Sequence, residues 1–104
     1  MRKLVRNKII DIISEEEGRK VEPHEVGMRK MSDWEFEYAL RLKLYEEWKE
    51  VWLDPCPEEF ADCLEVLKVA AAKHGVNWDD VEAARVAKNE RKGSFDQQWE
   101  LTLK

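Results

Sequence analysis

A chain of 104 residues and 12.4 kDa holds one small domain, and at 43% hydrophobic, 39% charged and a mean hydropathy of -0.69 it has a core to build and a very polar surface. Four glycines and three prolines are too few turn signals for a many-stranded barrel or sandwich, and a formal charge of -5 disfavours a nucleic-acid polymer, whose phosphates select basic faces. No stretch approaches the ~18 continuous apolar residues of a membrane span and no apolar run opens the chain, so a cytoplasmic protein is expected; two cysteines and two histidines argue against zinc and leave oxygen to hold any metal.

From Met1 to Glu17, Leu4, Val5, Ile9, Ile12 and Ile13 recur at helical spacing and Gly18 stands as a stop, predicting a first helix or a turn followed by one. Pro23, His24 and Gly27 then break the pattern, and Arg19 to Met31 reads as a connection with room for a short extended piece. Ser32-Asp33-Trp34-Glu35 is a capping box, in which the hydroxyl accepts from the amide of Glu35 and the carboxylate reaches back to the cap. The helix it opens runs through Leu40, Leu44, Trp48 and Val51 to about Leu53, where Pro55 and Pro57, neither with an amide to donate, end it. Pro57 suits the first turn of a third helix, to about Lys73, with His74-Gly75 as its stop. Asn77 caps a fourth, to about Lys92, closed by Gly93. The tail, with Phe95, Trp99, Leu101 and Leu103 among polar residues, reads as an extended segment lying on the body. The expected fold is all-α: an antiparallel bundle of about four helices over residues 1–104 as one domain, with an extended C-terminal tail.

Between Glu46 and Glu65 stand eight acids and one base, a local charge of -7. A solvated acidic face is the ordinary reading of such a run. The helical wheel argues otherwise: at ~100° per residue, Glu47 falls between Phe36 and Leu40, and Glu50 at the margin of that apolar arc. On the third helix Glu59 falls between Val66 and Ala70, and Asp62 between Val66 and Val69. Inward carboxylates without partners cost several kcal/mol of desolvation each, so something must neutralise them. A connection of a few residues makes the two helices antiparallel neighbours, and two pairs of acids three residues apart then form a cage of oxygens. That donor set suits Mg²⁺ or Mn²⁺, hard cations that finish their shells with water and phosphate oxygens. Glu46 stands beyond Glu50 as a further candidate, and Glu58 and Glu65 lie beyond Asp62.

The spacing Glu47-x-x-Glu50 followed by Glu59-x-x-Asp62 resembles the E-x-x-E and E-x-x-D pattern of the all-α nucleoside triphosphate pyrophosphohydrolase superfamily, the MazG-like and phosphoribosyl-ATP pyrophosphohydrolase-like proteins. Lys3-Leu4-Val5-Arg6-Asn7-Lys8-Ile9 looks like the K-L-V-R-D-K-I opening of a small branch, Glu58 to Val66 like its E-E-L-A-D-x-L-E-V segment, and Glu90 to Phe95 like its E-R-G-G-F. Asn7 stands where that branch usually has Asp, Ile10 where it usually has Pro, and only eight residues separate Glu50 from Glu59. The resemblance implies Mg²⁺ held by Glu47, Glu50, Glu59 and Asp62, and hydrolysis between the α- and β-phosphates of a nucleotide to a monophosphate and pyrophosphate, in the removal of unwanted nucleotides. One glutamate, Glu47 or Glu46, would also orient the water.

Lys88 and Arg91, one turn apart on the fourth helix, are candidates for the outer phosphates, with Arg6 and Lys8 behind them. Cations at a helix C-terminus are also ordinary dipole partners. Trp48 and Trp52 are assigned to the apolar arc of the second helix, as core or subunit contact. That arc exceeds what one short chain covers, so a homodimer or higher homo-oligomer is expected, as the resemblance also implies. The rival reading is a non-catalytic helical module that binds a partner and keeps the metal cage for stability.

Overall fold

The computed structural model describes residues 2–103 and has four α-helices, α1 (Ile9–Glu17), α2 (Asp33–Leu53), α3 (Pro57–Lys73) and α4 (Trp78–Lys92), with one 3-10 turn at Pro23–Val26 and no strand among the described residues. The all-α expectation is met, and each helix ends where local chemistry requires. Gly18 takes the left-handed conformation at φ 67°, which lets its amide and that of Arg19 bond back to Glu15 and Ser14 and close the last turn of α1. Gly75 does the same beyond α3 at φ 72°, with the Val76 amide on the Ala71 carbonyl at 2.9 Å. The Asn77 side chain accepts from the Asp79 amide at 2.8 Å and starts α4.

One reading is met in its second form and one expectation needs correcting. A turn at Asn7 and Lys8 precedes α1, which begins at Ile9, so Leu4 and Val5 lie in a non-helical N-terminal segment. In the tail, Phe95, Trp99, Leu101 and Leu103 are all more than 80% exposed, so this segment does not bury its apolar residues; a turn with the Gln98 amide on the Phe95 carbonyl interrupts it.

Two compact units divide the chain, one up to Leu67 and one from Lys68 onward, the boundary falling within α3. In the first unit Val21, Leu40, Val51 and Val66 are the buried apolar residues. Val21 comes from the connection between α1 and α2, where its amide donates to the Ser14 hydroxyl at 2.9 Å, so the connection supplies part of the core. From Lys68 onward no described residue is buried. A core this thin follows from the high surface-to-volume ratio of a short chain.

Helix α2 has two unlike faces. Its buried side carries Leu40, Glu47 and Val51. On the wheel Trp34, Tyr38, Tyr45 and Trp52 fall within about 40° of one another on the opposite side, and all four are well exposed. Trp48, beside them, packs edge-on against Trp52 with ring centroids 5.8 Å apart. Neither tryptophan belongs to the buried arc, because the slots facing the core are taken by smaller residues and by Glu47.

The cap of α2 has a measurable pH signature. Ser32 and Glu35 form the expected box, and Arg29 adds a 2.6 Å ion pair to the Glu35 carboxylate. That guanidinium first, then the Ser32 amide and hydroxyl, hold the Glu35 carboxyl down at about 2. A carboxyl depressed in the folded state stabilises the fold above its unfolded pKa, and that contribution is lost as pH falls toward about 2, the unfolded chain binding more protons in this window. Melting temperatures between pH 2 and 5 should therefore fall less steeply in Glu35→Gln than in the parent protein; parallel curves would show that the cap does not titrate with folding.

Candidate metal centre

The carboxylates of interest come from the last turns of α2 and the first turns of α3, joined by Asp54, Pro55 and Cys56. This short link lets the two helix ends meet. Glu47, Glu59 and Asp62 each place a carboxylate oxygen so that the three lie within 4.8 Å of one another. Glu47 is 9% exposed, among the most covered residues of the chain, and Glu59 and Asp62 are half-buried. Of the inward placements read from the wheel, that of Glu47 is met, and Glu59 and Asp62 are only partly covered.

Glu50 is different. Its side chain is exposed and it is not one of the three converging residues. Its field nevertheless reaches the group: burial pushes the Glu59 carboxyl above its ordinary value, and the charges of Asp62, Glu50, Glu47 and Asp54 push it the same way. Negative charge in this cluster is therefore held against its own repulsion. The Cys63 thiol, one residue on from Asp62, is raised by burial and then by Glu47, Asp62 and Glu59, which keeps it a neutral thiol.

A second trio shares Glu59. Asp54, Cys56 and Glu59 also offer ligand atoms within 4.8 Å of one another, which brings a sulfur donor to the edge of a site expected to be all oxygen. Nothing in the spacing of the acids pointed to Cys56; its place just ahead of Pro57, at the start of α3, was the available signal.

Part of the neutralisation comes from side chains outside the acidic run. Lys43 Nζ lies 3.2 Å from Glu47 and 3.5 Å from Glu46, and Lys3 Nζ lies 3.5 Å from Glu46. Arg6 Nη2 donates to Asp62 Oδ1 at 2.6 Å, tying the N-terminal segment to α3. Lys43 was recoverable from sequence as the i-4 neighbour of Glu47; Lys3 and Arg6 come from far along the chain and were not. Among the described residues no fully buried side-chain oxygen or nitrogen lacks a partner. Glu46 is thus engaged by lysines rather than by the converging trio.

Of the cations assigned to phosphate, Arg6 is on Asp62, and Lys8 is the residue preceding α1, exposed and without a capping side-chain bond. Lys88 and Arg91 are exposed on α4, in the unit that begins at Lys68. An open groove along α4, lined by Asp79, Glu82, Ala83, Val86, Ala87 and Glu90, has three acids and neither of these cations in its lining.

The donor set fits a hard divalent cation. Three carboxylates with converging oxygens would supply some of the ligands of such an ion, which keeps water or phosphate in its remaining positions. No family model, curated protein or solved structure matches this chain. No helix among the described residues is long and apolar enough to cross a membrane.

Proposed function

We propose that this protein is a Mg²⁺- or Mn²⁺-dependent nucleotide pyrophosphohydrolase of the all-α, MazG-like kind, cleaving the α-β phosphoanhydride of a nucleoside triphosphate or related nucleotide. The observation that carries this reading is the convergence of Glu47, Glu59 and Asp62 within 4.8 Å, at the meeting of two helices. Glu50, whose charge already acts on Glu59, is the fourth ligand of the proposal. A bound divalent ion would neutralise the polyphosphate, polarise phosphorus and lower the pKa of water. The chain's own part is to hold three carboxylates close together in a partly covered site, so that little reorganisation is needed when the phosphates arrive. Glu47 is the most deeply set of the three, and it or Glu46 would accept the proton of the attacking water. Water adds to phosphorus, the anhydride bond breaks, and a monophosphate and pyrophosphate leave.

The test is a panel of nucleotides incubated with and without Mg²⁺ or Mn²⁺ and assayed for pyrophosphate. Turnover that requires the metal is the expected result; a protein that binds metal but releases no pyrophosphate from any of them would end the enzymatic reading. In that event the rival reading, a partner-binding helical module with a structural cage, would stand, and the aromatic stripe on α2 favours it enough to name it.

Oligomerisation belongs to the same proposal. Trp34, Tyr38, Tyr45 and Trp52 are spaced 4, 7 and 7 residues apart, close to the 3.5-residue repeat of a helix-pairing seam. A second copy of the chain covering this stripe would remove large aromatic surfaces from water. Sedimentation velocity should show a dimer or larger species, and Tyr45→Glu with Trp52→Glu should convert it to monomer with helicity retained, since both side chains are exposed. A parent protein that sediments as a monomer would reject this part.

A further inference from the structure

The Arg6–Asp62 pair sets one of the acids of the proposed centre against a cation of the chain itself. Arg6 Nη2 and Asp62 Oδ1 are 2.6 Å apart, across 56 residues of sequence, and Asp62 is also one of the three converging carboxylates. Any cation drawn to that cluster meets a position where a positive charge already stands. We infer that Arg6 holds the place of the divalent ion at Asp62 and is released when the ion binds. This rests on the metal reading of the carboxylate trio.

The chemistry of the contact suits such an exchange. A guanidinium is charged at every working pH, so the contact does not depend on titration of the arginine. The bond is a single Nη2–Oδ1 contact, without the second parallel bond of a bidentate fork. Arg6 belongs to the non-helical segment before α1, and its side chain is 66% exposed, so it leaves Asp62 for water without disturbing the core. Lys43 is the contrasting case. It is fixed one turn from Glu47 on the same helix and is 18% exposed, so it stays beside the cluster whatever binds there.

Exposed ion pairs are individually weak, and this one is of the size that a divalent ion overcomes and that still shows in its affinity. Removing Arg6 removes a competitor for Asp62. Arg6→Gln should then bind Mn²⁺ on the order of threefold to tenfold more tightly than the parent protein, as read from free Mn²⁺ by electron paramagnetic resonance. Arg6→Lys, which keeps the charge, should return most of the way to the parent value. Arg85→Gln is the control: it makes the same change in net charge but breaks an ion pair with Glu82 on α4.

Tightening confined to Arg6→Gln supports the inference. Equal tightening in Arg85→Gln would reduce it to a general charge effect and overturn it. Unchanged or weaker Mn²⁺ binding in Arg6→Gln, in a protein that circular dichroism shows to be folded, would also overturn it and leave the metal centre standing. Mn²⁺ binding by neither the parent nor the variant would remove the metal centre itself, and the inference with it.

Discussion

Glu59→Gln is expected to lower metal-dependent pyrophosphate release by on the order of 10²–10³-fold, the loss typical when one strong electrostatic contact to a phosphoryl transition state is deleted. In metal-free protein the same substitution should raise the melting temperature. The second effect has its own physical cause. Burial and then the charges of Asp62, Glu50, Glu47 and Asp54 raise the Glu59 carboxyl above its ordinary value, so the folded state holds that proton more tightly than the unfolded chain does. Stability contributed by such a group is present at low pH and declines as pH rises from the unfolded pKa through the folded one. At neutral pH the ionised carboxylate is therefore a net burden on the metal-free fold, which glutamine relieves. Adding Mn²⁺ at about 100 times its dissociation constant should stabilise the parent by about 2.7 kcal/mol and the variant by much less, narrowing or reversing their order. Melting curves in chelator and in Mn²⁺, beside the pyrophosphate assay, check all three effects; a variant less stable than the parent in chelator would contradict the electrostatic account.

Leu40→Ala should cost about 2–5 kcal/mol, the range for truncating a buried leucine. The same loss matters more here than in a larger domain. Total stabilities run to roughly 5–15 kcal/mol, and among the described residues the buried apolar set is Val21, Leu40, Val51 and Val66. Leu40 is the largest of the four, at the middle of the helix that presents Glu47, so its loss should loosen the carboxylate group as well as the fold. Urea denaturation should show a large fall in midpoint, with weaker Mn²⁺ binding in the remaining folded protein. Leu42→Ala, two residues along but 54% exposed, should change the midpoint little. Equal effects of the two substitutions would mean that α2 is packed on the wrong face.

These expectations differ in how far the chain announced them. Helix boundaries were legible because they are local: Gly18, Ser32 with Glu35, Pro57, Gly75 and Asn77 each act through backbone groups within a turn of themselves. The burial of Glu47 was legible for a related reason, since a fixed rotation per residue places it between Phe36 and Leu40 before any partner is known. Trp48 and Trp52, read as core or subunit contact, are exposed in the single chain and so are not core: apolar residues surround much of α2, and periodicity alone does not say which of two apolar faces meets the core. The tail was misread for want of a partner: spaced aromatic and aliphatic residues are compatible with docking, but in the structure they remain exposed.

What the sequence determined by itself, then, is the order of helices, their ends, and the presence of acids at inward-facing positions of α2 and α3, all of which follow from interactions spanning a few residues. Only the tertiary structure decided that Glu47, Glu59 and Asp62 converge while Glu50 stays in solvent, and that Arg6 and Lys3 meet the acids that the run itself left unbalanced. The reason is range. Backbone hydrogen bonds and helical rotation act between near neighbours, whereas charges pair with whatever the fold carries to within a few ångströms, and a cation 56 residues away in sequence lies 2.6 Å from Asp62.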